Sequence, residues 1–168
     1  MPRVNYPTPM YLGIDPGASG GIAIVSGKES LTLPMPETEN DLWEWFNCRR
    51  PTVHTPRVFA CIEQVGGHVG GEGQPGSAMF KFGMGYGGLR MALVAAGIPF
   101  EAVTPQRWQK AMGVTPRDHK RKETKTSFKN RLKARAQQLF PSQKITLATA
   151  DALLIAEYCR RFREGTLR

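Results

Sequence analysis

The segment from Arg57 to Val65, RVFACIEQV, constrains the fold of this chain more than any other part of the sequence. Its residues are apolar at successive positions, so both faces of a strand formed here would be buried. Such a strand lies in the interior of a sheet that is covered by helices on both sides. We therefore predict a central strand in a layered α/β fold, with Glu63 interrupting an otherwise apolar run.

Other segments supply the rest of the sheet and its helices. In MYLGIDPGASGGIAIV, two apolar runs flank a Pro-Gly turn, which predicts a hairpin of two strands. The glycine-rich stretch 66–77 is expected to be a mobile loop. Together these patterns predict a mixed five-stranded sheet flanked by helices. The remaining expected elements are strands at 30–35 and 98–105 and helices at 38–48, 78–96, 106–112, 125–140 and 149–163.

Length and cysteine content place further bounds on the chain. Its 168 residues fit one domain spanning 1–168, with disordered tails expected at 1–9 and 164–168. The apolar runs are shorter than the ~20 residues of a membrane helix, and the N-terminal sequence lacks the pattern of a secretory signal. We therefore expect a cytoplasmic protein. Cys48, Cys61 and Cys159 have no CxxC spacing and are expected to be free, buried thiols.

Positive charge is concentrated in one block of the sequence. Between residues 105 and 135 there are eleven lysines and arginines and two acidic residues, whereas the rest of the chain carries twelve of each kind. The formal net charge of +9 therefore arises within this block. Such clustering is the electrostatic footprint of a polyanion partner, and a solvated helix face is the alternative. We predict that the chain binds nucleic acid.

Three carboxylates lie within or next to apolar segments, where they would be buried and would not contribute to solubility. Asp15 ends an apolar strand, Glu63 lies within the central strand, and Asp151 is expected in the first turn of the last helix. A buried carboxylate is unfavourable unless a cation or hydrogen-bond donors compensate it. The helix N-terminus could account for Asp151, and a turn could account for Asp15. Glu63 has no such structural account, so we favour a cation site shared by all three.

The chemistry of these donors indicates which cation they would bind. The candidate ligands are oxygen atoms, and no histidine or cysteine shows the spacing of a zinc site. Mg²⁺ is therefore expected, with Mn²⁺ able to substitute. Two such ions about 4 Å apart can activate a water molecule and stabilise the leaving oxygen of a phosphodiester. This chemistry predicts two ions per site and a nuclease.

The order of the motifs resembles that of a known family. GIDPG, IEQV, TPQRWQKAMG with its basic helix, and ATADALLIA are similar to the RuvC family of Holliday junction resolvases, in a form similar to those carried by phages. The resemblance extends from about Met10 to Arg161. It implies a ribonuclease H-like fold, a homodimer, and metal-dependent, symmetrical nicking of two strands at a four-way junction. For a phage protein, the location would be the cytoplasm of the host cell.

The resemblance also implies roles for individual residues. It assigns metal binding and catalysis to Asp15, Glu63 and Asp151. The DNA-binding candidates are His68, Arg107, Lys110, Lys120, Arg121, Lys122, Lys125 and Lys129. His68 is a single histidine in a loop, and an incidental position is the alternative interpretation for it.

Two positions depart from the pattern of the family. The family has an acidic or histidine ligand three residues before the last aspartate, where this chain has Ala148. We expect weaker binding of one metal ion as a result, and a need for high Mg²⁺ or for Mn²⁺. Bacterial members can carry an aromatic wedge directly after IEQV, where this chain has Gly66. The degree of junction selectivity therefore stays open.

Three other functions compete with junction resolution. A kinase or actin-like ATPase could use GIDPGASGG to bind phosphate, but the chain is short for two lobes and has no Walker motif. A non-catalytic DNA-binding protein would explain the basic block together with Ala148. A less selective nuclease would act on flap, branched or single-stranded DNA.

The small residues Gly83 and Gly87 bear on the expected homodimer. They would allow a second helix to approach closely; tight packing onto the sheet is the alternative.

Overall fold

The computed structural model describes residues 8–52, 57–66, 76–118 and 122–167. Every predicted strand and helix is present, with ends that differ from the prediction by at most two residues. No helix in these ranges is long and apolar enough to cross a membrane. The elements are β1 (Met10–Asp15), β2 (Gly21–Ser26), β3 (Glu29–Pro34), α1 (Glu39–Asn47), β4 (Val58–Glu63), α2 (Gly76–Ala95), β5 (Phe100–Val103), α3 (Pro105–Ala111), α4 (Lys125–Leu139) and α5 (Leu147–Arg163).

The five strands form one mixed sheet in the order β3-β2-β1-β4-β5. β1 pairs with β2 in antiparallel and with β4 in parallel orientation, and β5 extends the parallel part. β4 therefore lies between two other strands, which confirms that the apolar run around Cys61 is an interior strand. β1 stands at the centre of the sheet, so both of its faces are covered.

Helices cover the two faces of the sheet. Successive side chains of a strand point to opposite faces. Tyr11 of β1 belongs to the core that the sheet forms with α3, α4 and α5. Leu12 and Ile14 belong to the core on the other side, with α1 and α2. The alternation places Gly13 and Asp15 on the same face as Tyr11, beneath α5.

Gly13 allows α5 to pack unusually close to the central strand. A Cβ atom at this position would lie 2.1 Å from the carbonyl oxygen of Ala152 and 2.1 Å from the backbone nitrogen of Ala156. These two alanines are one helical turn apart, so a glycine on the strand and small residues on the helix bring the two backbones together. α5 is buried along its length from Thr149 to Cys159.

The start of α5 differs from the prediction in a way that affects Asp151. The helix begins at Leu147, and Thr146 is its N-cap; Thr146 and Thr149 form a reciprocal capping box. Asp151 therefore lies in the second turn and not in the first. Because the effect of the helix dipole falls off within the first turn, it gives Asp151 little stabilisation.

Several smaller expectations were wrong. The alternative for Gly83 and Gly87, tight packing onto the sheet, is contradicted, because a Cβ at either position would have no neighbour within 4 Å among the described residues. Cys48 is exposed, whereas Cys61 and Cys159 are buried as expected. Leu132 and Ala136 form the buried face of α4. Residues 164–166, expected to be part of a tail, hydrogen-bond back onto the end of α5.

Candidate active site

The sheet and α5 bring the three predicted carboxylates to one edge of the fold. Asp15 and Glu63 are the last residues of the neighbouring parallel strands β1 and β4. The register pairs Ile14 with Ile62, so the next two residues, Asp15 and Glu63, lie side by side. By alternation both point toward the face that α5 covers. Asp151 precedes Ala152, whose carbonyl oxygen lies over Gly13.

Burial raises the pKa of all three carboxylates, and repulsion by a neighbouring carboxylate adds to the rise at Asp15 and Glu63. Burial, together with the negative charges of Asp151 and Glu63, raises the pKa of Asp15 to about 7, although Lys129 opposes this rise. Burial also raises the pKa of Asp151 against the effect of Lys129. For Glu63, burial raises the pKa, while a hydrogen bond from Trp108 acts in the opposite direction. The site therefore favours any cation that can neutralise these groups.

Trp108 fixes the position of Glu63. The indole Nε1 of this fully buried residue of α3 donates a hydrogen bond of 2.8 Å to Oε2 of Glu63. α3 begins with Pro105 directly after β5, and Thr104 caps it through its side chain. Sequence reasoning did not assign Trp108 to the site, because it concentrated on charged residues of this segment.

Lys129 of α4 lies within the site. Its Nζ atom donates a hydrogen bond to Oδ2 of Asp151 and is 3.8 Å from Oδ2 of Asp15. We had expected this lysine on the outward, DNA-facing side of α4, and the structure corrects that placement. A signal was available, because Lys129 is three residues before Leu132 and seven before Ala136, on the stripe that α4 buries.

The donor chemistry of the site fits a hard divalent cation. All three carboxylates offer oxygen ligands, and Oδ1 of Asp151 is buried without a hydrogen-bond partner. Within the described residues, however, no three His, Cys, Asp or Glu side chains are arranged so that they could hold a metal ion as they stand. Lys129 instead contacts two of the three carboxylates. Coordination by all three would require their side chains to turn toward a common point.

The residues near Ala148 do not replace the ligand that the sequence lacks. Ala148 has only a methyl side chain, and its carbonyl oxygen lies against Gly21 of β2. The hydroxyl of Thr149 is engaged in the capping box. Glu157 accepts hydrogen bonds from Arg160 and Arg161, so its carboxylate is engaged by these arginines. α5 therefore contributes Asp151 alone.

Two arginines of the basic block form ion pairs, and its exposed residues include Arg107 and three of the predicted lysines. Arg131 binds Glu123 at 2.8 Å, and Arg107 binds Glu101 at 3.0 Å. The predicted DNA contacts Lys110, Lys122 and Lys125 are exposed. The other candidates, Lys120, Arg121 and His68, lie outside the described residues, as does most of the predicted glycine-rich loop.

Solved structures with this architecture are known. A Thermus thermophilus RuvC in complex with a Holliday junction substrate matches with a TM-score of 0.59 at 17% identity, over 95% of this chain and 98% of that chain. The chain has the fold of RuvC. A second T. thermophilus RuvC structure matches with a TM-score of 0.57 at 18% identity, with the same coverage. The expected ribonuclease H-like fold is thereby confirmed. No family model and no curated protein matches the chain.

Proposed function

We propose that this chain is a metal-dependent endonuclease that cleaves branched DNA in the cytoplasm and resolves four-way junctions by symmetrical nicking. One observation carries the proposal: Asp15, Glu63 and Asp151 meet at one edge of the sheet, where α4 brings Lys129 to two of them and begins with the exposed Lys125. The RuvC fold supports it, since one structure with this fold was solved with a Holliday junction substrate.

In this proposal the carboxylates hold Mg²⁺, or Mn²⁺ in its place. A bound divalent cation would make an attacking hydroxide available near neutral pH and neutralise charge on the phosphate. The protein's own contribution is to position the ligands. Trp108 restrains Glu63, and the close contact between Gly13 and α5 brings Asp151 to Asp15.

Exposed lysines would bind the phosphate backbone. Lys125 is the first residue of α4 and lies one helical turn before Lys129, while Lys122 precedes this helix and Lys110 lies in the last turn of α3. DNA bound at Lys125 would therefore lie close to the carboxylates that Lys129 contacts. Such contacts position the duplex without reading its sequence.

An exposed apolar stripe on α2 supports a homodimer. Phe80, Met84, Met91 and Val94 are 68%, 57%, 62% and 59% exposed, and their spacing places them on one face of the helix together with Gly87. Apolar surface of this kind is typical of protein interfaces. We expect the wild-type chain to sediment as a dimer and the double variant Met84→Glu, Met91→Glu as a monomer. Leu31→Glu, an exposed apolar position on β3, serves as the control.

A second candidate function is a less selective nuclease acting on flap, branched or single-stranded DNA. Gly66, which follows β4 by three residues, is exposed, and no atom in the described structure lies within 4 Å of where its Cβ would be. This position therefore offers no side chain that could separate the strands of a junction.

A substrate panel tests the proposal. Labelled four-way, flap, duplex and single-stranded DNA are incubated with the chain in EDTA, Mg²⁺ or Mn²⁺. We expect paired nicks in the four-way junction that require a divalent metal and are lost in Asp15→Asn. Equal cleavage of flaps would favour the second function. Binding without cleavage in either metal, or cleavage that persists in Asp15→Asn, would refute the nuclease assignment to this site.

A further inference from the structure

Within the described residues, the ammonium group of Lys129 contacts two of the three carboxylates. Lys129 Nζ donates to Asp151 and lies 3.8 Å from Asp15, whose side chains are 6% and 12% exposed. Water therefore screens the negative charges of these two carboxylates poorly, so positively charged groups within the site must compensate them. α4 carries Lys129 on the same stripe as the buried Leu132 and Ala136, so packing of this helix sets the position of the ammonium group.

Lys129 lies beside α5, which has no side-chain metal ligand at position 148. Three residues before Asp151, on the same face of α5, the side chain is the methyl group of Ala148. Thr149 and Glu157 are engaged elsewhere, as described above. α5 therefore offers one carboxylate, and the ammonium group of Lys129 binds that same carboxylate.

We propose that Lys129 takes the place of one of the two divalent cations, so that the site works with a single metal ion. The proposal rests on the nuclease function proposed above. With a cation bound, the three carboxylates would all be ionised and carry three negative charges, and Lys129 offsets one of them. One divalent ion neutralises the remainder, whereas two would leave an excess of two positive charges among fixed groups. Asp15 and Glu63 would then hold the metal ion, while Lys129 keeps its hydrogen bond to Asp151.

Counting bound metal ions tests this role apart from activity. Free Mn²⁺ is measured by electron paramagnetic resonance while the full-length chain is titrated, in wild type, Lys129→Met and Lys129→Arg. We expect one Mn²⁺ per chain in wild type and in Lys129→Arg. In Lys129→Met we expect a second ion, or binding of the first at least tenfold tighter, because one positive charge has left the site. Lys133→Met, one turn further along α4, is the matched control and should behave as wild type.

Cleavage of the four-way junction completes the test. We expect Lys129→Met to lose at least 100-fold in cleavage rate at a Mn²⁺ concentration that saturates wild type, and to recover part of it at higher Mn²⁺. Lys129→Arg should retain more activity than Lys129→Met. A purely structural ion pair would lower the thermal stability of Lys129→Met in EDTA but leave the number and affinity of bound Mn²⁺ ions unchanged, and that result would overturn the proposal.

The outcomes separate the role of Lys129 from the proposed function. Two Mn²⁺ ions bound to a wild-type chain that cleaves DNA would overturn the role of Lys129 and leave the nuclease function intact. One Mn²⁺ bound to a chain that cleaves no DNA would overturn the nuclease function. The number and affinity of Mn²⁺ ions bound by Lys129→Met would then still show whether the lysine compensates the charge of the site. Unchanged or faster cleavage in Lys129→Met would show that the lysine competes with the metal, against our proposal.

Discussion

Replacing Asp15 with Asn should stabilise the metal-free protein at neutral pH. Burial and the neighbouring carboxylates raise the pKa of Asp15 from 3.8 to about 7. Below pH 4 the group is protonated in both the folded and the unfolded chain. As the pH rises from 4 to 7, the unfolded chain ionises and the folded chain does not, so the free energy of unfolding falls. Above pH 7 Asp15 is ionised in both states, and the full loss of unfolding free energy caused by its burial is present.

The magnitude follows from the size of this pKa difference. One pKa unit corresponds to about 1.4 kcal/mol, so the upper limit for Asp15 is about 4 kcal/mol above pH 7. Asn removes the charge but buries an amide, which also loses hydration. We therefore expect Asp15→Asn to raise the free energy of unfolding by about 1 to 4 kcal/mol at pH 7.5 in EDTA. The difference should disappear toward pH 4.

Urea unfolding in EDTA between pH 4 and pH 8 measures this effect. Glu44→Gln, an exposed position on α1, is the control and should match wild type throughout. Saturating Mn²⁺ should then stabilise wild type more than Asp15→Asn, because the variant lacks a ligand charge. If Asp15→Asn is no more stable than wild type at pH 7.5, or if its advantage does not depend on pH, the electrostatic account of the site is refuted.

Three further predictions concern the elements that build the site. Gly13→Ala should lower the free energy of unfolding by at least about 1 to 3 kcal/mol and reduce cleavage, because the new methyl group meets the backbone of α5. Urea unfolding measures this effect, and Gly66→Ala is the control that should match wild type. Trp108→Phe should lower the free energy of unfolding by about 1 to 3 kcal/mol and slow cleavage through loss of the hydrogen bond to Glu63, and unchanged cleavage would contradict its positioning role. Lys125→Ala should reduce the slope of log DNA affinity against log salt concentration by about 1, the value for one lost phosphate contact, in a filter-binding titration. Lys28→Ala, in the β2–β3 turn, should leave this slope unchanged.

Local sequence patterns were sufficient to predict the elements of the fold. The two-sided apolar character of the strand around Cys61 predicted its interior position, and the Pro-Gly turn after Asp15 predicted the first hairpin. Both are short-range features, because burial of a strand is encoded in its own residues. The start of α5 was misplaced because Thr146 and Thr149 form a capping box with threonine at the position where Glu or Gln is usual.

The geometry of the site depends on contacts between distant segments, and these could be predicted only in part. The three carboxylates were identified because each contradicts its apolar surroundings. The hydrogen bond between Trp108 and Glu63 joins residues 45 positions apart, and no local pattern encodes it. Lys129 was assigned to the surface because its charge was weighted above its position on the stripe of Leu132 and Ala136. A lysine at the margin of a buried stripe can turn toward buried carboxylates that compensate its charge.

The α2 glycines illustrate a different limit. Four glycines in the interior of α2 are unfavourable by about 1 kcal/mol each relative to alanine, and close packing against a second helix or the sheet would compensate for this cost. The structure places Gly83 and Gly87 in open space instead, beside the exposed Met84 and Met91. A sequence pattern reports that a surface is unusual, but it does not report whether the same chain or a second copy covers it.

The most direct test of the account is the single-turnover nicking of a labelled four-way junction in Mn²⁺ by wild type, Asp15→Asn, Glu63→Gln and Asp151→Asn. Binding of the same junction is measured separately in EDTA, with Glu44→Gln as the control. We predict that each of the three site variants loses at least about 100-fold in nicking rate, about 2.7 kcal/mol of transition-state stabilisation, while junction binding stays close to that of wild type. Nicking at the wild-type rate by any one of the three would contradict the assignment of these carboxylates to a shared catalytic site.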